Sequence, residues 1–358
     1  MVIILLSLII LEKDENMSRK LCISIIFTLL ITALFAAFIL RSTNKSAGEK
    51  EDTLVVVSPH PTEFMIPLIQ EFENETGIAV EIISCGTTEA ISSIMNNENI
   101  DVLWGGSLLA VGPYRECFAS YKTLNRAVFM EDYKNVEAEF TCFSNVPSVL
   151  MINKDIIGDI KITGYRDLLQ KELKGQIAFA DPGGSSSAFE HLVNMLYAMG
   201  EGEPEQGWDY VKEFAKNLNG VLLGNSSAVY KGVANGEFKV GLTFEEAAVT
   251  MLKSDKHIEI VYMEEGVVST PDGIYISKNS SRQDSAKRFV DFMTSKDAQR
   301  FMASDLGRRS VRKDVEDSTL VIPMDEINNI TVDKEMVVEN KYKWLSQFDE
   351  YLKEAADE

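Results

Sequence analysis

Cysteine, histidine and positive charge are scarce in this chain, and each shortage removes a class of function. Of 358 residues, four are Cys and three are His. Outside an apolar stretch near the N-terminus only Cys85, Cys117 and Cys142 remain. An odd count at irregular spacing gives neither a disulfide framework nor a zinc pattern, and it leaves one bridge among the three open in an oxidising compartment. His60, His191 and His257 are scattered. With no metal-ligand spacing, no GxSxG elbow and no P-loop, the chain carries no enzyme signature, and no resident metal or cofactor is expected. Lys and Arg total 35 against 55 Asp and Glu, a net charge of -20, which repels nucleic acid and anionic membrane surfaces. Any anion this protein binds must be held locally.

What the chain does have is an uninterrupted apolar run, Leu21 to Leu40, preceded by Ser18-Arg19-Lys20. At ~1.5 Å per residue it matches the ~30 Å hydrocarbon core of a bilayer. Positive residues followed by an apolar stretch predict an export signal or an uncleaved membrane helix, with a polar linker to Asp52 and the remainder outside the cytoplasm. Met1 to Leu11 is too short to cross, and an acidic segment separates it from Met17, the expected start.

From Thr53 onward, strand and helix patterns alternate. Leu54 to Val57, Val80 to Ser84 and Asp101 to Trp104 read as strands, with helical spacing after the first two. Pro67 predicts a late start or a kink in the first helix. Val146 to Ile152 reads as an extended crossing segment, and Ile177 to Ala180 as a strand. Ser187-Ala188-Phe189-Glu190 and Thr243-Phe244-Glu245-Glu246 each match a capping box. The C-terminal stretch is polar and helical, with Trp344, Phe348 and Tyr351 as packing residues. This tempo predicts an α/β layered architecture with a largely parallel sheet, and the length allows two domains.

Four stretches end an apolar run and open a helix: Ser58-Pro59-His60, Cys85-Gly86-Thr87-Thr88-Glu89, Asp181-Pro182-Gly183-Gly184-Ser185-Ser186-Ser187 and Ser226-Ser227. A helix start presents backbone N–H groups without intrahelical partners and the positive end of the helix dipole. Several of these starts meeting at one cleft would hold a small anion.

The order of SPHP, TGIAVEIISCGTTEA, DVLWGGS, ADPGGSSSAF, YKGVANGEFKVGLTFEEA and DLGRRSVRKDV resembles the extracytoplasmic solute-binding proteins of ABC importers. The similarity is to the branch that includes ferric-ion, hexose-phosphate, phosphoglycerate and aminoethylphosphonate binders, and it covers Thr53 to about Val315. It implies a two-lobed periplasmic-binding-protein fold of the class II type with two crossing segments and closure on the ligand. Lobe one would comprise 53–142 plus 270–358, lobe two 143–269, after a signal, anchor and linker at 1–52. It further implies a non-enzymatic, monomeric protein working with a membrane permease or, alternatively, with a membrane histidine kinase.

The resemblance places a phosphate on Ser185, Ser186, Ser187 and the N–H of Ala188. Gly86, Thr87, Thr88, Ser58 and His60 would face it from the other lobe. Trp104 could stack on a sugar or belong to the core, and Ser226 and Tyr230 stand at a further helix start. Ferric-binding relatives carry adjacent tyrosines where this chain reads Phe244-Glu245-Glu246, which argues against a hard trivalent ion. Glu245 would instead accept hydrogen bonds from sugar hydroxyls or pair with an ammonium group, so a hexose phosphate is the expected solute. Arg308, Arg309 and Arg312 form a basic cluster that either neutralises the phosphate or makes ion pairs.

Overall fold

The computed structural model describes residues 53–96, 98–134 and 138–357. The expected membrane helix and linker lie outside the described residues. Among the described residues no helix is long and apolar enough to cross a membrane.

Strands β1 (Leu54–Ser58), β2 (Val80–Ser84) and β3 (Val102–Ser107) pair in parallel, β1 in the middle. Successive side chains of a strand point to opposite faces, and β1 follows this strictly. Leu54 and Val56 pack with Phe64, Phe72, Trp104 and Phe289 on one face, while Val55 and Val57 pack with Ile91, Ile94 and Leu103 on the other. Helix α1 (Thr62–Thr76) covers the first face and α2 (Thr87–Met95) the second. Pro67 does not delay or break α1, which runs from Thr62. So near the N-terminus, proline forfeits a single ladder hydrogen bond.

The expectation of a largely parallel sheet fails in the middle of the molecule. After the two-residue strand β4 (Phe118–Ala119) comes β5, which spans Thr141–Asn153 as one buried strand. Its first half pairs antiparallel with β9 (Ser269–Ser277), and its second half pairs antiparallel with β7 (Val240–Phe244) and β8 (Ile258–Val261). Strand β9 in turn pairs antiparallel with β3. Parallel strand pairing returns between β6 (Ile177–Ala178) and β7. The order β2-β1-β3-β9-β5-β7-β6 thus joins two α/β halves through two antiparallel strands. This is a two-lobed arrangement, and β5 belongs to both halves.

Around β6 and β7 pack α3 (Ser186–Met199), α4 (Trp208–Leu218), α5 (Ser226–Ala234) and α6 (Glu245–Lys253). Helix α3 is buried from Ala188 to Ala198, so its polar side chains need internal partners. His191 Nε2 donates to the Thr243 carbonyl at 2.7 Å while Nδ1 accepts from Tyr165 at 2.8 Å. Asn194 donates to Gly266 O and accepts from Val268 N.

Helices α7 (Gln283–Met293) and α8 (Lys296–Ser304) return to the first half, followed by the short strand β10 (Arg309–Ser310) on β5. The last helix, α9 (Lys334–Asp357), buries Trp344 and Phe348 in the core built around α3, α4 and β7. Lys341, also buried, reaches the other way. Its ammonium donates to Ala110 O at 2.7 Å and lies 5.2 Å from the Phe189 ring. Burial alone pushes its pKa down to about 8.

Candidate functional site

A cleft of about 780 Å³ opens between the two halves. Its mouth is formed by the starts of α2, α3 and α5. Gly86, Thr87, Thr88, Ser185, Ser186, Ser187 and Ser226 all line it, together with Ser227 and His60. The loop before α3 is shaped by Asp181, whose carboxylate accepts from Gly183 N at 2.8 Å and whose carbonyl accepts from Gly184 N and Ser185 N. The cap of α3 is Ser185, which accepts from Ala188 N, and not Ser187. Ser187 and Ser186 are therefore released from capping, while the Ala188 amide is spent on Ser185 and is unavailable to a ligand. In α5, Asn225 caps the amide of Ala228 at 2.9 Å. Each cap engages the third amide of its helix and leaves the first two facing the mouth. Helix α2 has no side-chain cap at all.

The two sides touch across this mouth. Thr87 Oγ1 donates to Ser186 Oγ at 3.2 Å and Thr88 Oγ1 to Gly183 O at 2.8 Å. A Cβ on Gly86 would stand 3.0 Å from Gly184 O. Lys231 in α5 lies 3.9 Å from Glu63 in α1.

Deeper, the lining changes from hydroxyls to charges. Glu190, Asp272 and Arg308 line the floor with His60 and Thr270. Arg308 is 3% exposed and already committed. It donates to Ser144 Oγ at 2.9 Å, to Glu246 Oε2 at 3.2 Å and to the Asp272 carboxylate. Its guanidinium is sandwiched 4.9 and 5.2 Å from the rings of Phe64 and Phe143. Glu190 accepts from Thr270 Oγ1 at 2.6 Å.

Burial pushes the Glu190 carboxyl up to about 7, Asp272 adding to the effect. Asp272 and Glu246 are likewise raised by burial, with Arg308 pulling both back. His60 is held well below its ordinary value by burial and then by Arg308, so it is neutral at pH 7. Gly105, at φ 121°, lets the backbone pass His60, because a Cβ there would stand 2.8 Å from Nε2.

Five expected site residues are not on the cleft: Ala188, whose amide Ser185 takes, and four others. Glu245 is buried against Arg309, which donates to both carboxylate oxygens at 2.8 Å, and it accepts from Tyr262 at 2.6 Å. This ion pair turns it away from any solute. Trp104 is fully buried among His60, Phe64, Phe143 and Phe289. Ser58 donates to Trp104 O at 2.6 Å and braces the His60 turn by accepting from its amide. Tyr230 is buried and donates to Ser227 Oγ at 3.2 Å.

Neither capping box forms. Glu190 bonds Thr270, and Glu246 bonds Arg308 and Thr250 while Phe244 occupies the cap position of α6. Of the basic cluster, Arg309 and Arg312 make internal ion pairs with Glu245 and Asp314. The floor carboxylates Glu190 and Asp272 were not among the expected binders. Their sequence signals, Asp272 beside Gly273 and Glu190 three residues after Ser187, are shared with ordinary turns and caps.

The sequence matches the bacterial extracellular solute-binding protein family over residues 67–328. The chain belongs to that family. Its members bind solutes rather than transform them. The Iron uptake protein A1 of Synechocystis sp. is 22% identical over 314 residues, covering 81% of this chain and 86% of that protein. A shorter match, 28% identical over 135 residues, spans 38% of an uncharacterized protein of Haemophilus influenzae. Among solved structures, the periplasmic binding protein AfuA from Actinobacillus pleuropneumoniae with exogenous fructose-6-phosphate bound has a TM-score of 0.77 at 22% identity, covering 84% of this chain and 98% of that one. A structure titled as a two-component system protein that mediates signal transduction has a TM-score of 0.69 at 29% identity, covering 80% and 99%.

Proposed function

We propose that this extracytoplasmic protein captures a small organic phosphate or phosphonate, its hexose phosphates included, and delivers it to an ABC permease in the membrane. The observation that carries this reading is the mouth itself. Three helix starts with free first-turn amides and a set of Ser and Thr hydroxyls converge there. Such donors suit a doubly charged phosphate without requiring a buried cation. Among the described residues the Lys and Arg lining the cleft fit this division, since Arg308 is consumed internally and Lys231 sits at the entrance near Glu63.

Ferric ion is less well served. Among the described residues no group of three His, Cys, Asp or Glu side chains is placed to hold a metal, and the tyrosine pair is missing. A sensing role beside a membrane histidine kinase is a second reading, supported by the similarity to the signal-transduction protein.

Thermal unfolding of the soluble part with inorganic phosphate, glucose 6-phosphate and ferric citrate tests the ligand class. A solute at ~100 times its Kd stabilises by ~2.7 kcal/mol. Stabilisation by phosphorylated solutes is expected, and stabilisation by ferric citrate alone would overturn the reading. Affinity purification from membranes then separates the partners: recovery of a permease is expected, and recovery of a kinase instead favours sensing.

A further inference from the structure

The floor of the cleft has an unbalanced charge. Glu190 and Asp272 line it with Arg308, and Glu246 bonds Arg308 as Asp272 does. The guanidinium directs its donors at Glu246, Asp272, Ser144 and His60 Nδ1 and none at Glu190, which only feels its charge. His60, 6% exposed and lining the same floor, keeps its Nε2 without a hydrogen-bond partner 3.4 Å from Asp272 Oδ2. Glu190 accepts from the hydroxyls of Thr270 and Ser107, two donors where a carboxyl offers about four acceptor sites. Acceptors exceed donors here, and negative groups exceed positive ones.

We propose that the solute carries a positively charged amine opposite its phosphate or phosphonate group, and that Glu190 with Asp272 is the amine's seat. This rests on the reading of the mouth as the anion site, and it deepens that reading by naming the ligand as a zwitterion such as an amino-sugar phosphate or an aminoalkylphosphonate. An ammonium supplies three donors and no acceptor, which is what the floor lacks, whereas a hydroxyl at the same place brings an acceptor and no charge. Burial raises the Glu190 carboxyl to about 7 even with Arg308 nearby, and an arriving ammonium favours its ionised form. Charge-assisted hydrogen bonds are roughly twice as strong as neutral ones, so the amine is worth more here than a hydroxyl in the same position.

The test is calorimetric titration of the soluble protein with glucosamine 6-phosphate, glucose 6-phosphate, 2-aminoethylphosphonate, ethylphosphonate and inorganic phosphate, repeated with Glu190→Gln. The glutamine keeps an acceptor for Thr270, and its unliganded melting temperature reports whether the fold is intact. The expected result is binding at least about tenfold tighter for each amine than for its amine-free counterpart, with that preference lost in Glu190→Gln while inorganic phosphate binds both proteins alike. Equal or weaker binding of the amines overturns the proposal and leaves the phosphate reading standing. If none of the five compounds binds, the mouth reading fails and the proposal with it. An amine preference that survives in a folded Glu190→Gln also overturns the assignment of the seat.

Discussion

The mouth and the floor of the cleft are built on opposite principles. The mouth is made mainly of hydroxyls and backbone amides, partly open to solvent, with exposed charges such as Lys231 and Glu63 at its edge, and contributed by contiguous runs such as Gly184 to Ser187. The floor is made of buried ionisable groups gathered from five distant places, His60, Glu190, Glu246, Asp272 and Arg308. Neutral dipoles at a helix start are cheap to leave exposed or to cover, so the mouth can change partners without a large penalty. Buried charges must remain matched, which makes the floor expensive to disturb. Mutations at the mouth should therefore read out in affinity, and mutations at the floor in stability as well.

Four experiments would break or sharpen that contrast. The largest effect is expected from Arg308→Met, which leaves Asp272 and Glu246 buried without their cation. Denaturant unfolding should show a loss of about 3–5 kcal/mol, and a loss below 1 kcal/mol would mean that the floor is far better hydrated than its burial implies.

Next comes pH. Glu190 has its folded pKa raised from 4.5 to about 7, so its neutral form is favoured in the fold. The stabilisation it contributes is complete below pH 4.5 and disappears as pH rises through 7. His191, lowered from 6.5 to about 4 by burial, works the other way, its contribution growing between those values. The stability of wild type minus that of Glu190→Gln isolates the first term. That difference should fall by on the order of 3 kcal/mol between pH 4.5 and 7.5, and a flat difference would contradict the burial of this carboxyl.

At the mouth, Ser186→Ala with Ser187→Ala should weaken phosphate binding by at least about tenfold, with stability unchanged within about 0.5 kcal/mol because Ser185 is the cap. A large drop in melting temperature with unchanged affinity would reverse the roles assigned to these serines. Gly86→Ala is the mildest probe. Its backbone at φ -67° accepts alanine, but the added Cβ meets Gly184 O at 3.0 Å. About fivefold weaker ligand binding is expected, from strain of ~1 kcal/mol felt only when the two sides meet.

The same contrast explains what the sequence disclosed. Helix starts are written locally, in a turn, a small residue and an apolar period, so Gly86 to Thr88, Ser185 to Ser187 and Ser226 could be found by inspection. That criterion could not sort Glu245, which opens α6, from Glu190, which stands in the second turn of α3. Long-range partners decided between them: Arg309 claims Glu245, while Glu190 is left facing the cleft beside Thr270. Trp104 was ambiguous for the same reason, as only the approach of Phe143 and Phe289 makes it core. The alternation of strand and helix disclosed the α/β layering. It could not disclose that β5 and β9 pair antiparallel, because a fully buried strand reads the same in either direction.

The last helix sets a clock on the making of this protein. Trp344 and Phe348 fill a core whose other walls, such as Phe179 and Phe214, are synthesised more than a hundred residues earlier. At roughly 5–20 residues per second, those walls wait on the order of 10–30 s for their final two aromatic rings. During that interval the second half of the molecule lacks part of its interior. Completion of this half of the fold therefore waits on the making of α9.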